Sequence, residues 1–227
     1  RGRRAEKVGA AVRAVDDDAR GSERAVAGHV RLALTEGLSL TVVVPMLLPE
    51  LRRAYPELVV DLLCDYASAD LLQREADIAI RFYRPTRGDL VATRVARLPT
   101  AVLGQRDYVR SRGRRRTPDH FDWVGFHMPG FRAPEEQWHQ QHVGVAPVIR
   151  SNSYVSQVAA VRAGLGLALL TRSLCRVHPE LREIELGLPE GPVLELWLVT
   201  HRAIRDLPRV AAVFDHLETG LRALDGI

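Results

Sequence analysis

The stretch GHVRLALTEGLS, Gly28 to Ser39, changes its hydrophobic period partway along. From His29 to Leu34 apolar residues recur at every second position, the period of a strand with one covered face. From Leu38 to Ala54 they recur at helical spacing, although Pro45 lies inside and is expected to bend the helix. A polar turn, Thr35-Glu36-Gly37, separates the two. Working outward, Leu58–Tyr66 reads as a strand, Ala69–Arg74 as a helical turn, and Ala76–Phe82 and Leu90–Leu98 as strands. This β-α-β-α-β order predicts a mostly parallel sheet with helices on both faces.

A second unit of the same kind follows. Strands are expected at Thr100–Gly104, Trp123–His127, Val145–Arg150, Leu167–Leu170 and Leu194–Thr200. Helices are expected at Arg106–Arg112, Tyr154–Ala163 and Thr171–Val177. The last helix, Leu207–Leu224, places Val210, Val213, Phe214, Leu217 and Leu221 on one side. Ahead of the first strand, Val8, Val12, Val15, Ala19, Ser22 and Val26 step by four and three, a seam suited to packing along another helix. Gly9 and Gly21 weaken it, so it reads as the tail of a longer helix that Gly28 stops. Two α/β units in series with a closing helix suit two lobes sharing a cleft.

Composition narrows the function classes. The 227 residues are 46% hydrophobic and 26% charged, ordinary for a soluble globular protein. No apolar run approaches the ~20 residues that cross a bilayer, and no signal-peptide pattern is present. The first residue is Arg1, so upstream residues are expected to lie outside this sequence or to have been removed. The net charge of +4 is a weak argument for nucleic acid: of 32 basic residues only Lys7 is lysine, the skew a GC-rich genome produces. The arginines are also interleaved with 28 acids, and the cluster Arg110, Arg112, Arg114, Arg115, Arg116 reads as a solvated loop. Cys64 and Cys175 read as small buried hydrophobes in a reducing compartment.

Catalytic motifs are missing. There is no G-x-S-x-G elbow, P-loop, H-E-x-x-H or C-x-x-C. Gly164-Leu165-Gly166 follows a helix and reads as a tight helix-to-strand turn. His139 and His142, with His127 and His120 nearby in sequence, lack the further ligands of a metal site and read as polar loop residues. Asp16, Asp17 and Asp18 point apart on a helix. Neither a metal nor a cofactor is expected, and the chain is read as a binding module and not an enzyme.

In open α/β sheets ligands bind beyond the carboxyl ends of the strands, where helix N-termini offer free N–H groups. Thr35 and Ser39 follow the first strand and Ser68 the second. Arg81 comes near the end of the third, and Asn152 and Ser153 open the helix at Tyr154. His127 and Thr200 end their own strands and complete the candidate set. Each hydroxyl serves equally well as a helix cap, and Arg81 has an alternative in pairing with Glu36 or Asp70.

Over about residues 5–225 the chain resembles the LysR-type transcriptional regulators. The segments that carry this are GHVRLALTEG, LLPELRRAYPELVVDL, READIAIRFYRPTRGDLVATRVARL, RDYV and VRAGLGLALL. READIAIR and AGLGLALL, in this order and at this separation, are specific to that family's effector-binding region. Departures are Thr171, where a proline is usual, and Gly104-Gln105 before the tyrosine. The resemblance implies an α/β fold of two Rossmann-like lobes of the type 2 periplasmic-binding-protein kind. Residues 29–98 plus 201–227 would form lobe I, 99–200 lobe II, and 1–28 the end of a dimerising linker helix. It implies a small anionic or polar effector held between the lobes by Thr35, Ser39, Ser68, Asn152 and Ser153. It also implies a homodimer or homotetramer in the cytoplasm, away from membranes, reaching DNA through a winged helix-turn-helix outside this chain. The alternatives are a transporter's solute-binding protein with the same lobes, and an enzyme on that scaffold.

Overall fold

The computed structural model describes residues 26–64, 76–86, 88–130 and 132–224. The seam at Val8–Ser22, Ser68 and the helical turn at Ala69–Arg74 therefore lie outside the described residues.

Strand β1 (Gly28–Leu34) lies between β2 (Leu58–Cys64) and β3 (Ile78–Arg81), parallel to both. Its alternation does what the period predicts: Val30, Leu32 and Leu34 are fully buried. The antiparallel strand β9 (Val193–His201) follows β3 in the sheet, and β4 (Leu90–Gln105) follows β9. Strand 194–200, grouped with the second lobe from the sequence, hydrogen-bonds to β3 and to the first half of β4. The expected break between 90–98 and 100–104 does not occur. Pro99 faces Val193, the first residue of β9, and its carbonyl accepts from the Arg172 N–H at 2.9 Å, so the missing proline donor interrupts nothing.

Beyond Pro99 the same strand enters the second half of the molecule. There β4 pairs antiparallel with β7 (Ala168–Thr171) and with β8 (Leu181–Glu183), a short strand the sequence did not announce. Strands β5 (Val124–Phe126) and β6 (Ile149–Ser151) form a parallel pair. They join the rest through one bridge, Trp123 to Leu167. The glycines of AGLGLALL make that bridge possible. Gly164 has φ +75°, and a Cβ on Gly166 would stand 2.7 Å from the Asp122 carbonyl oxygen.

The helical run after β1, here α1, has three contiguous parts: Glu36–Leu38, a π-wound Ser39–Leu47, and Leu48–Ala54. The bend expected at Pro45 is thus a wider winding, in which a proline's missing N–H is tolerated. The run packs on the closing helix so tightly that a Cβ on Gly220 would meet Leu47 Cδ2 at 2.4 Å. The remaining helices are α2 (Arg106–Ser111), α3 (Pro134–His142), α4 (Tyr154–Arg162), α5 (Leu174–Val177) and α6 (Pro208–Arg222). Helix α6 lays Val210, Val213, Phe214, Leu217 and Leu221 on the first sheet, as its period requires. Helix α3 covers a segment expected to be loop. Cys64 is exposed and not buried; Cys175 is half-buried, and both are free thiols.

Candidate functional site

Register places the site. Strand β3 runs antiparallel to β9, with Arg81 opposite Trp197, so its carboxyl end points toward the crossover at Pro99 and Val193. Parallel β1 and β2 point the same way. From the other side, Thr171 at the end of β7 lies opposite Thr100, next to the same crossover. The strand ends of both halves therefore face one another across the ribbon of β4 and β9. The first turn of α1 meets the first residue of α4 there: a Cβ on Gly37 would lie 2.9 Å from Tyr154 Cδ1.

Four candidates flank that contact. Thr35 caps α1, its Oγ1 accepting from the Leu38 N–H at 3.5 Å. Ser39 is 8% exposed, and its hydroxyl makes no hydrogen bond to another described residue. Ser153 caps α4, with Oγ accepting from the Ser156 N–H at 3.2 Å, while Asn152 beside it is exposed. His127 ends β5; its N–H donates to the Ser151 carbonyl at 2.9 Å and its Nδ1 lies 2.8 Å from Glu136 Oε1. Arg81 ends β3, is 9% exposed, and is already engaged in an interaction. Thr200 is not brought to the cleft. It pairs with Ile78, at the far end of β3 from Arg81, and its fully buried hydroxyl donates to the Asp77 carbonyl at 2.7 Å.

Three residues that sequence reasoning passed over, Tyr154, Gln157 and Glu135, belong to the same region. The Tyr154 hydroxyl lies 2.8 Å from Thr171 Oγ1, and burial pushes its pKa up to about 12. Gln157, 3% exposed, donates from Nε2 to the Val124 carbonyl at 3.3 Å. Glu135 in the first turn of α3 is half-buried, and burial raises its carboxyl pKa. Its charge also reaches Tyr154. Glu135 and Gln157 line a cavity of about 70 Å³ that includes Phe126 and Leu169. The cavity opens because β5 and β7 share only the bridge at Trp123 and then diverge. Pro134 followed by two acids is a helix-start signature and could have located α3. Nothing in the sequence sets Glu135 beside Tyr154.

The histidines of α3 are structural. His139 Nε2 bonds the Val145 carbonyl at 2.8 Å, its ring meets Trp123 edge-on, and burial lowers its pKa. Among the described residues no group of three or more His, Cys, Asp or Glu could hold a metal ion. A larger concavity of about 550 Å³, with Arg116, Arg172, Arg182, Glu183 and Glu185, lies at β8. It is a wide, solvent-open surface along β8 and the second half of β4, and Arg172 is paired with Glu183 at 3.0 Å. The strand-end cleft is the better-built site. Among the described residues no helix is long and apolar enough to cross a membrane.

A family model described as the LysR substrate binding domain matches residues 23–222. No curated protein sequence matches significantly. Among solved structures, the regulatory domain of CrgA, a LysR-type transcriptional regulator from Neisseria meningitidis, is 17% identical with a TM-score of 0.74; the match covers 86% of this chain and 99% of that one. The AmpR effector binding domain from Citrobacter freundii is 17% identical with a TM-score of 0.65, covering 86% and 98%. Full-length AphB, the Vibrio cholerae virulence activator, is 12% identical with a TM-score of 0.68, covering 93% and 76%. CrgA and AphB are regulators of the LysR type and not transporter components.

Proposed function

This chain belongs to the LysR substrate binding domain family, and from that premise we propose that its cleft binds a small polar effector and reports it to a DNA-binding part of the parent protein. One observation carries the choice of site: the N-termini of α1 and α4 meet at Gly37 and Tyr154, where the strand ends of both halves converge. Residues 29–98 with 201–227 act as lobe I and 99–192 as lobe II, with β9 joining the lobe I sheet. Ser39 and Thr35 touch the effector from one side, and Asn152, Ser153 and His127 from the other. Arg81 holds the lobe I wall, and Ser68 adds to it. A ligand that prefers one spacing of the lobes shifts the population toward it, which is all that regulation requires. The ligand leaves unchanged, the protein acts in the cytoplasm where its DNA lies, and sequence-specific DNA affinity resides outside these residues.

The test is a metabolite screen by thermal unfolding, followed by Ser39→Trp and Ser153→Trp. Each variant is expected to fold like the parent and to lose the ligand-induced rise in Tm. A ligand to which both variants respond like the parent would place the site elsewhere.

We further propose that the chain self-associates as a closed homodimer or a tetramer built from dimers. The seam Val8–Val26 supports this, as do the exposed Leu40 and Val44, one helical turn apart on α1. Sedimentation at micromolar concentration is expected to show a species heavier than 25.3 kDa, and a monomer alone would contradict it.

A further inference from the structure

We propose that the effector carries a cationic headgroup, an ammonium or amidinium, that enters the slot between β5 and β7 and pairs with the Glu135 carboxylate. The proposal rests on the cleft reading above and replaces the anionic ligand that helix N-termini and Arg81 alone suggest.

Four observations carry it. Glu135 forms no ion pair with any described residue, although it is half-buried beside a cavity. A backbone N–H at the start of α3 compensates that carboxylate only in part, and a ligand cation offsets the remaining cost of its burial. The second buried polar group on the slot is also an acceptor. Gln157 gives its Nε2 to the Val124 carbonyl, which can only accept, and this leaves Oε1 with no donor among the described residues. The other titratable groups on the lining do not neutralise Glu135. Glu136 is bound to His127, buried His139 spends its Nε2 on Val145, and Arg150 is exposed and paired with no carboxylate. Finally, Arg81, the clamp an anion would need, is already engaged. At about 70 Å³ the slot has room for a headgroup of a few heavy atoms, so the rest of the molecule lies in the cleft toward Tyr154, Ser39 and Ser153.

The experiment uses the whole chain and a matched set of probes: n-butylamine, butane-1,4-diamine, butyrate and butan-1-ol. At ten times Kd a bound amine is expected to raise Tm by about 3–5 °C, against no rise for butyrate or butanol. Glu135→Gln is expected to weaken the amine at least tenfold in calorimetry while its circular dichroism stays that of the parent. Amine binding is also expected to lower the Glu135 carboxyl pKa in 13C NMR, a change that a purely structural carboxylate would not show. Butyrate binding as well as the amines, Glu135→Gln keeping amine affinity within twofold, or no probe shifting Tm would each overturn the proposal. The two readings fail separately. An anion blocked by Ser153→Trp but indifferent to Glu135→Gln keeps the cleft and removes the cationic class. An amine sensitive to Glu135→Gln but indifferent to both tryptophan variants keeps the slot and removes the cleft.

Discussion

The two walls of the cleft are built differently. The lobe I wall is the first turn of α1: a threonine cap, a glycine and a buried serine, with no charged side chain buried in that turn. It stands on one large core, in which α1 and α6 pack side by side on β1, β3 and β9, with a small alanine-rich cluster on the opposite face of that sheet. The lobe II wall carries Tyr154, Gln157, Glu135 and the His127–Glu136 pair. It stands on two separate clusters, one on each face of a sheet whose β5 edge is attached through a single bridge. A helix end whose one acid, Glu36, is exposed contributes space and dipole, which many ligands can use. Fixed acceptors beside a gap discriminate between ligands. On the proposed reading, the first wall would supply affinity and the second selectivity.

The largest effect sought asks whether the two cores are one unit. Phe214 (1% exposed) fills the first and Trp123 (fully buried) the second. Phe214→Ala and Trp123→Ala are each expected to cost about 3–5 kcal/mol in urea unfolding. Because β4 runs unbroken through both halves, each variant is expected to shift one shared transition. Two separable transitions, each moved by one variant only, would break that picture.

A smaller effect probes the contact between the walls. At a helical position alanine is favoured over glycine by roughly 0.5–1 kcal/mol. At Gly37 the added Cβ meets the Tyr154 ring at 2.9 Å, and overpacking of that kind costs about 1–3 kcal/mol. Gly37→Ala is thus expected to destabilise by about 1 kcal/mol net. A gain in stability would mean that the walls stand apart in solution.

The smallest effect is a pH dependence confined to the second wall. Burial holds the Glu135 carboxyl above its ordinary value of 4.5, so the folded state binds that proton more tightly than the unfolded state. The resulting stabilisation is full below pH 4.5 and is lost as pH rises through the raised folded value. Glu135→Gln removes the titration. The stability of the parent relative to this variant is expected to fall with rising pH across that window, read as paired urea midpoints. A flat difference would show that Glu135 is solvated like any surface acid.

Much of the frame was legible because period alone encodes it. Strand 29–34 and the last helix read directly, since one buried face fixes the spacing of Val30, Leu32 and Leu34 and of Val210 through Leu221. Pro99 misled, because a proline reads as a strand breaker unless its neighbour in the sheet is known. Helix Pro134–His142 was hidden: only Trp138 in it is buried, so it carries no apolar stripe. The candidates at α1 and α4 were legible as helix starts, and both caps are there. Thr200 was named for ending a strand, but the antiparallel register of β9 turns that end away from the cleft. Glu135 and Gln157 come together through a gap between two strands, and a gap is a property of pairing that no single segment records.

Strand β4 runs from one half into the other without a break. An ordinary hinge is a pair of loose tethers, and its two bodies swing with little memory of angle. Here the tether is itself a hydrogen-bonded ribbon, paired on both sides of Pro99 with the sheets it joins. Opening or closing the cleft must twist that ribbon, so displacement meets an elastic restoring torque. On the proposed reading, part of a ligand's binding energy would be held as torsion in that strand and would drive the return when the ligand leaves.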